Sequence, residues 1–204
     1  YTAEACDQPN NSLGDVTSST TFSIDTAAGG SWGGTYNSVY TSAKAGTWTV
    51  TGTYSGRTAN TSLTVNIGVL HHIVISPDPA TIVAGGTQAY SAEAFDEGNN
   101  SLGDVTPSTI FSIQPGAGGL WSPPNVYTSQ IVGTWTVTGT YGALTDTASL
   151  TVVASTAHHI VITPETATVT AGGVQYYTAE AFDLFNNSRG NVTTSTSFTI
   201  QTGA

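Results

Sequence analysis

The stretch Gly133-Thr-Trp-Thr-Val-Thr-Gly-Thr-Tyr141 alternates between two kinds of residue along its whole length. Trp135, Val137 and Tyr141 fall on one face of an extended chain, and threonines occupy the other face. A period of two, built from β-branched and aromatic residues, is typical of a strand with one buried face. The stretch therefore predicts a β-strand packed on a hydrophobic core.

Further short strands are predicted around this one. Residues 109–113, 148–153, 158–162 and 177–182 are rich in β-branched and aromatic residues, and residues 167–169 are expected to continue as strand. Gly, Pro and Asn separate these runs, and no segment shows the period of 3.6 that a helix would give. The sequence thus predicts an all-β fold of two-sheet sandwiches with about seven strands each.

Composition excludes several classes of protein. Charged residues make up 8% of the 204 residues, and 13 acidic residues against Lys44, Arg57 and Arg189 give a net charge of −10. Because there is no basic patch to neutralise phosphates, nucleic acid and anionic membranes are disfavoured as partners. Cys6 is the sole cysteine of the sequence, so core packing without an internal disulfide has to hold the sandwiches together. No apolar run approaches the length of a membrane helix, and membrane insertion is not expected.

The chain repeats itself with a period near 87 residues. The segment Tyr1–Asp7 returns at Tyr90–Asp96 and again at Tyr177–Asp183, and residues 1–32 match residues 90–121 at 22 of 32 positions. A unit of this length is close to a complete immunoglobulin-type domain and too long for one unit of a solenoid. We therefore expect three repeats, with residues 1–68 lacking the first strand, residues 69–155 complete and residues 156–204 partial.

The repeated motifs resemble those of a known family. They are Ile-x-Pro, Ala-Thr-x-x-Ala-Gly-Gly, Tyr-x-Ala-Glu-Ala-Phe-Asp and Asn-Asn-Ser-x-Gly, together with the central strand at Gly133–Tyr141. In this combination they are similar to the bacterial immunoglobulin-like (Big-type) domains of adhesins, invasin- and intimin-type stalks and surface-layer proteins. The resemblance covers essentially the whole chain. It implies a spacer or adhesive role at the cell surface, and the fold alone does not decide between them.

Five asparagines lie in sequons that N-linked glycans require. Three of them fall at the same position of successive repeats, and the set is Asn10, Asn60, Asn99, Asn186 and Asn191. The Asn-Asn pairs are also ordinary turn residues, so a turn explains three of the sites without any sugar. We predict these positions as candidates for attached glycans.

The tryptophans are candidates for core packing and for glycan contact. Trp32 and Trp121 each follow Gly-Gly and one further residue, on a predicted loop or short strand, where an exposed indole would suit a sugar ring. Packing in the core or between domains is the alternative for both. Trp48 and Trp135, on the central strands, are expected in the core.

Metal binding and catalysis have little support. The Asp- and Asn-rich loops at residues 7–15, 96–104 and 183–191 carry oxygen ligands of the kind that calcium takes, but turn chemistry explains the same residues. The pairs His71-His72 and His158-His159 are expected to point to opposite faces of a strand, which disfavours a shared metal. No catalytic grouping recurs between the repeats, so we predict no metal, no cofactor and no enzymatic activity.

These features together favour a structural role outside the cell. We expect a stalk, a surface layer or a filament of rigid modules whose partners are neighbouring repeats or other copies of the same protein. Polymerisation could follow if another subunit completed the broken sandwiches at both ends, by strand donation. An adhesive or glycan-binding module, or a spacer in a secreted enzyme, is the alternative.

Overall fold

The structure, a computed structural model, describes residues 1–201 and has an all-β, sandwich-like fold. Within these residues the regular structure consists of short strands and single turns of 3-10 helix, and no helix is long and apolar enough to cross a membrane. Contacts between Cα atoms divide the chain into two compact units. One contains residues 1–73 and 93–103, and the other contains residues 74–92 and everything described from residue 104 onward.

The first unit contains residues 1–68, the predicted first repeat. Its strands are β1 (Glu4–Cys6), β2 (Ser12–Asp15), β3 (Thr21–Ile24), β4 (Ser31–Gly33), β5 (Val39–Thr41), β6 (Gly46–Tyr54) and β7 (Arg57–Val65). They pair as β1 with β2, as β4 with β5, and as a three-stranded sheet in the order β3-β6-β7. All these pairings are antiparallel.

The next strands belong to the second repeat. They are β8 (His72–Ser76), β9 (Ala80–Val83), β10 (Thr87–Ala89), β11 (Ser91–Phe95), β12 (Ser101–Asp104), β13 (Ile110–Ile113), β14 (Leu120–Ser122), β15 (Val126–Thr128), β16 (Gly133–Tyr141) and β17 (Leu144–Val153). Two of their sheets have the orders β13-β16-β17-β9 and β10-β15-β14. The repeat has more than the predicted seven strands because Pro77 and Pro79 separate β8 from β9, and the Gly85-Gly86 turn separates β9 from β10.

The third repeat contributes β18 (His159–Thr163), β19 (Thr178–Phe182) and β20 (Ser188–Asn191), which form an antiparallel sheet in that order. Single turns of 3-10 helix lie at Thr17–Ser19, Thr26–Ala28, Thr35–Asn37, Thr106–Ser108 and Thr193–Ser195. β6 and β16, at equivalent positions of the first two repeats, have nine residues each and matching bounds.

The predicted central strand is confirmed with the predicted bounds. β16 pairs with β13 on one side and with the whole of β17 on the other. Its alternation matches its burial, since Val137 is fully buried while Thr134 and Thr136 are exposed. Val137, Leu150 and Val152 therefore form the inner layer of this sheet, as expected for a half-buried antiparallel pair.

Ile75 on β8 packs against the inner face of β16. A Cβ atom built on Gly139 would lie 2.6 Å from Cγ2 of Ile75, so only glycine leaves room for this side chain. Ile75 is 2% exposed as a result. The backbone N–H of Ile75 donates to the Asp146 carboxylate at 2.8 Å, which fixes β8 over β17.

The third repeat exposes residues that the second repeat buries. Ile162 corresponds to Ile75, 87 residues earlier, and is 42% exposed. The predicted strand at residues 167–169 is wrong, because these residues form no strand here. In the second repeat the equivalent β9 pairs in parallel with β17, and the described part of the third repeat has no counterpart of β17. The proposed repeat boundaries at residues 68/69 and 155/156 stay predictions.

Candidate functional site at the repeat junctions

The loop between β11 and β12 is closed by Asp96. The N–H of Asp96 donates to the carbonyl of Asn100 at 3.0 Å, and the N–H of Asn99 donates back to the carbonyl of Asp96 at 3.1 Å. Asn99 adopts a φ of 57°, a left-handed conformation that asparagine tolerates better than most residues. The Asp-x-x-x-Asn spacing thus produces a compact loop with the side chains of Asp96 and Asn100 held together.

The carboxylate of Asp96 is buried and surrounded by N–H donors. It accepts from the backbone N–H of Asn100 at 2.8 Å, from the side-chain amide of Asn100 at 2.9 Å and from the backbone N–H of Gly68 at 2.7 Å. The backbone N–H of Asn100 is the main cause that lowers the pKa of Asp96 to about 2. Since Gly68 belongs to the first repeat, this carboxylate connects two repeats within the first unit.

Asn100 reaches further into the first repeat. Its amide nitrogen donates to the carbonyl of Ala43 at 2.9 Å, and its amide oxygen accepts from the backbone N–H of Ala45 at 2.9 Å. The ammonium of Lys44, in the same turn, donates to the carbonyls of Gly98 at 3.0 Å and of the residue after it at 3.3 Å. We call the Asp96–Asn100 pair, with its counterparts in other repeats, the clasp, and the turn that it binds the socket.

The second junction has the same clasp, inside the second unit. The amide nitrogen of Asn187 donates to Asp183 at 3.0 Å and to the carbonyl of Gln130 at 2.8 Å. Its amide oxygen accepts from the N–H of Val132 at 3.0 Å, and Asp183 accepts from the N–H of Ser155 at 3.1 Å. The two junctions are thus chemically equivalent at positions 87 residues apart.

Asp183 is 0% exposed and still holds its negative charge. Burial raises the pKa of this carboxyl, but the hydrogen bonds from Asn187 and from the N–H groups of Ser155 and Phe185 outweigh it and bring the pKa down to about 2. No cation is needed for this balance, because N–H dipoles converge on the carboxylate. The carboxylate oxygens of Asp96 and Asp183, which the sequence made candidate calcium ligands, thus accept hydrogen bonds from N–H groups at both junctions.

The socket is recognised through its backbone. The first socket is Ala43-Lys44-Ala45 and the second is Gln130-Ile131-Val132, so no side chain is shared. In both, the asparagine uses one carbonyl and the N–H two residues later. The clasp therefore binds the backbone of the turn, and this binding tolerates changes in the side chains of the turn.

A tryptophan holds each socket in place. The indole Nε1 of Trp48 donates to the carbonyl of Lys44 at 2.9 Å, and that of Trp135 donates to the carbonyl of Ile131 at 2.9 Å. These two indoles were expected in the core, but both are only half-buried. The reason is that a buried indole N–H needs an acceptor, and here the acceptor lies in the turn at the edge of the sheet.

Trp32 and Trp121 lie in equivalent aromatic clusters. Trp121 packs against Tyr127 at 5.2 Å between ring centroids, against Phe111 at 6.0 Å and against Tyr90 at 6.1 Å. The Trp121 indole nitrogen is buried and has no hydrogen-bond partner among the described residues. Trp32 and Trp121 are both half-buried, on short strands as predicted, and their contact with glycans stays a prediction.

The five predicted sequon asparagines are all exposed. Asn10, Asn99 and Asn186 each have a positive φ at the tip of the clasp loop, while Asn60 lies on β7 and Asn191 ends β20. Their glycosylation stays a prediction. Sequence reasoning missed the role of the second asparagine of each pair, which is half-buried at Asn100 and buried at Asn187, although the Asp-x-x-x-Asn spacing that recurs in all three repeats was a signal for it.

The histidine pairs depart from expectation. The Nδ1 atoms of His71 and His72 lie 3.2 Å apart, and those of His158 and His159 lie 3.4 Å apart, so each pair faces the same side. The first histidine of each pair precedes the strand, which frees it from the strand's alternation. Among the described residues no three His, Cys, Asp or Glu side chains are grouped as a metal site would require.

Comparison with known proteins gave structural neighbours only. No family model matches the chain, and no curated protein matches it. Among solved structures, the chain is similar to domains 4–9 of the surface-layer protein SbsC, with 19% identity over 99% of this chain and a TM-score of 0.29. It is also similar to domains 4 and 5 of the same protein, with 21% identity over 74% of this chain and 80% of that one, and a TM-score of 0.28. The chain spans 34% of the length of the SbsC structure that covers domains 4–9.

Proposed function

We propose that this chain is a non-catalytic structural segment of an extracellular or cell-surface assembly, a stalk, surface layer or filament built from rigid immunoglobulin-like modules. The clasp carries the proposal. Asp96 with Asn100 and Asp183 with Asn187 join successive repeats through the same set of hydrogen bonds. A chain whose modules had to move independently would not bury a carboxylate at each junction.

The energetics of the clasp support a rigid array. Asn100 and Asn187 each bind the carboxylate of their own loop and two backbone groups of the preceding repeat. Hydrogen bonds that involve a charged group contribute about 1.5–3 kcal/mol each, and opening the junction would leave several of them unmade. The low content of charged residues, 8%, also suits close packing between neighbouring modules or beneath a coat of sugar.

The immunoglobulin-like assignment is part of this proposal. Its supports are the repeat of about 87 residues, the short strands arranged in separate sheets, and the packing of β8 on β16 through Ile75. The parallel pairing of β9 with β17 places an early strand of the repeat beside its last strand, as closure of a sandwich requires.

Polymerisation by completion of open sandwiches extends the proposal. A cleft of about 590 Å³ on the first repeat is lined by Phe22, Val50, Gly52 and Tyr54 among others. Gly52 corresponds to Gly139, the residue that Ile75 covers in the second repeat. We propose that residues 158–176 of a second copy fill this cleft by strand exchange.

Sedimentation velocity over a range of concentrations tests the completion. The wild-type chain should form concentration-dependent oligomers, and Ile162→Lys should abolish them. Val161→Lys is the matched control, because Val74, the equivalent residue in the complete repeat, is also exposed. A wild-type chain that stays monomeric at high concentration, or oligomers that persist in Ile162→Lys, would overturn polymerisation and leave the structural array intact.

The structural role itself is tested by imaging. Electron micrographs of single chains should show one narrow distribution of angles between neighbouring repeats, and the double variant Asn100→Ala with Asn187→Ala should broaden it. An equally broad distribution in the wild type would contradict the rigid array.

Exposed sequon asparagines favour attached glycans as part of the assembly, and mass spectrometry of the native material would detect them.

A further inference from the structure

The first repeat carries a clasp that binds no socket within the described residues. Asp7 and Asn11 correspond to Asp96 and Asn100, and both are exposed. Their loop is already formed, since the Asp7 carboxylate accepts from the N–H of Asn11 at 2.7 Å and from its side-chain amide at 3.3 Å. The groups that face the neighbouring repeat in the other two clasps are exposed to solvent here.

Both sockets within residues 1–201 are filled by clasps of the same chain. Asn100 occupies the turn at residues 43–45, and Asn187 occupies the turn at residues 130–132. A turn that bound Asn11 would therefore lie outside these two. Because the two filled sockets share backbone geometry and no side chain, the fitting partner is defined by the turn of the fold and by no particular sequence.

We propose that the Asp7–Asn11 loop is a docking site for a further module of this repeat, placed ahead of residue 1 in the same chain, whose socket turn offers a carbonyl to the Asn11 amide nitrogen and, two residues on, an N–H to its amide oxygen. The proposal rests on the rigid array proposed above and deepens it, since it names the surface through which the array continues; in such an array the strands directly ahead of residue 1 would fill the cleft of the first repeat in place of a second copy. Docking would bury Asn11 as Asn187 is buried.

An extended chain tests the docking. Residues 69–176 of the same sequence are joined directly ahead of Tyr1, so that Tyr1 takes the place of Tyr177 and the added module supplies a second copy of the Gln130–Val132 socket. The measurement is hydrogen exchange of the asparagine side-chain amides by NMR. The Asn11 amide should exchange at least about tenfold more slowly than in the 204-residue chain, because it gains two hydrogen bonds in a closed junction.

Internal controls separate docking from misfolding. The Asn100 and Asn187 amides report in the same spectra that the existing junctions are folded, and the exposed Asn60 amide should exchange equally fast in both chains. If Asn100 and Asn187 are protected while Asn11 exchanges as fast as before, the proposal is wrong. That result would leave the rigidity of the two existing junctions untouched, so the function proposed above would survive it.

Three variants of the added module test whether the socket is recognised through its backbone. Val132→Pro in the added copy removes the N–H that would bind the Asn11 oxygen and should cancel the protection, whereas Val132→Ala keeps that N–H and should preserve it. Replacing the added Gln130-Ile131-Val132 by Ala-Lys-Ala, the sequence of the first socket, should also preserve it. Protection that survives Val132→Pro, or that is lost with Ala-Lys-Ala, would overturn recognition through the backbone.

Discussion

The side-chain nitrogen of Asn100 lies 2.9 Å from a carboxylate oxygen of Asp96, and the same nitrogen lies 2.9 Å from the carbonyl oxygen of Ala43. One amide thus completes a loop in its own repeat and binds the preceding one. Because Asp96 holds the amide in place before it meets Ala43, little side-chain entropy remains to be lost when the junction closes.

Replacing the clasp asparagine should loosen the first junction. Asn100→Ala removes the partners of the Ala43 carbonyl and the Ala45 N–H and deprives Asp96 of a donor, so we expect the first unit to lose about 1–3 kcal/mol of unfolding free energy. Urea denaturation followed by tryptophan fluorescence measures the loss, and hydrogen exchange of the Ala45 amide localises it. Asn66→Ala, at an exposed asparagine, is the control and should change neither. Unaltered protection of Ala45 in Asn100→Ala would contradict the clasp.

Acid should open both junctions. Asp96 and Asp183 have pKa values of about 2 in the folded chain, below the ordinary value of 3.8. A carboxyl with a lowered pKa stabilises the fold fully above its unfolded value, and this stabilisation is lost as the pH falls from about 4 through 2. Thermal unfolding between pH 5 and pH 2 should show a falling Tm, and Asp96→Asn with Asp183→Asn should flatten that dependence. A wild-type Tm that stays constant down to pH 2 would refute the assignment.

Gly98 should not tolerate a side chain. A Cβ atom at this position would lie 2.3 Å from the carbonyl oxygen of Ala43, so Gly98→Ala must push the clasp loop away from its socket. We expect faster exchange of the Ala45 amide and a lower unfolding free energy. Gly33→Ala is the matched control, because nothing lies within 4 Å of a Cβ atom there and its φ is not left-handed. Equal effects of the two substitutions would argue against close packing at the junction.

Replacement of the equivalent isoleucine by alanine should lower the unfolding free energy by different amounts in the second and third repeats. Ile75 is 2% exposed and Ile162 is 42% exposed, although they occupy the same position of the repeat. Ile75→Ala leaves a cavity over Gly139 and should lower the unfolding free energy by about 2–5 kcal/mol, whereas Ile162→Ala should cost less than about 1 kcal/mol. Calorimetry of both variants in the monomeric chain makes the comparison, and similar costs would mean that Ile162 is covered in solution.

Two tyrosines of one aromatic cluster should respond oppositely to loss of the hydroxyl. The Tyr90 hydroxyl is buried with no hydrogen-bond partner among the described residues, while the Tyr127 hydroxyl donates to the carbonyl of Gly118 at 2.5 Å. Tyr90→Phe should therefore be neutral or stabilising, and Tyr127→Phe should cost about 1 kcal/mol. Chemical denaturation of the two variants measures this contrast, which a destabilised Tyr90→Phe would contradict.

The Tyr90 phenol should also ionise at a higher pH than an ordinary tyrosine. Burial, with smaller contributions from Asp78 and Tyr127, raises the pKa of Tyr90 to about 12. A raised phenol pKa means that the folded chain keeps its stability below pH 10 and loses it as the pH rises through 12. Ultraviolet absorbance should show a tyrosine ionisation delayed to about pH 12, and this ionisation should disappear in Tyr90→Phe. A titration curve unchanged by Tyr90→Phe would contradict it.

Much of the local structure was decided by the sequence. The alternation from Gly133 to Tyr141 predicted β16 with its correct bounds, because a two-residue period with one apolar face is a property of the strand itself. The repeat at Tyr1, Tyr90 and Tyr177 likewise predicted that strands would recur, since equal sequences have equal local preferences. The all-β class followed from both.

The tertiary structure decided which of these similar segments form strands and which residues bind across the junctions. Residues 167–169 form no strand although Ala80–Val83 do, because a strand needs hydrogen bonds from a neighbour, which β17 supplies only to the second repeat. The burial of Asn187 and the exposure of Asn11 have the same cause. Their local sequences are alike, but only Asn187 binds a socket. That binding depends on the backbone of a turn more than 50 residues away in the chain.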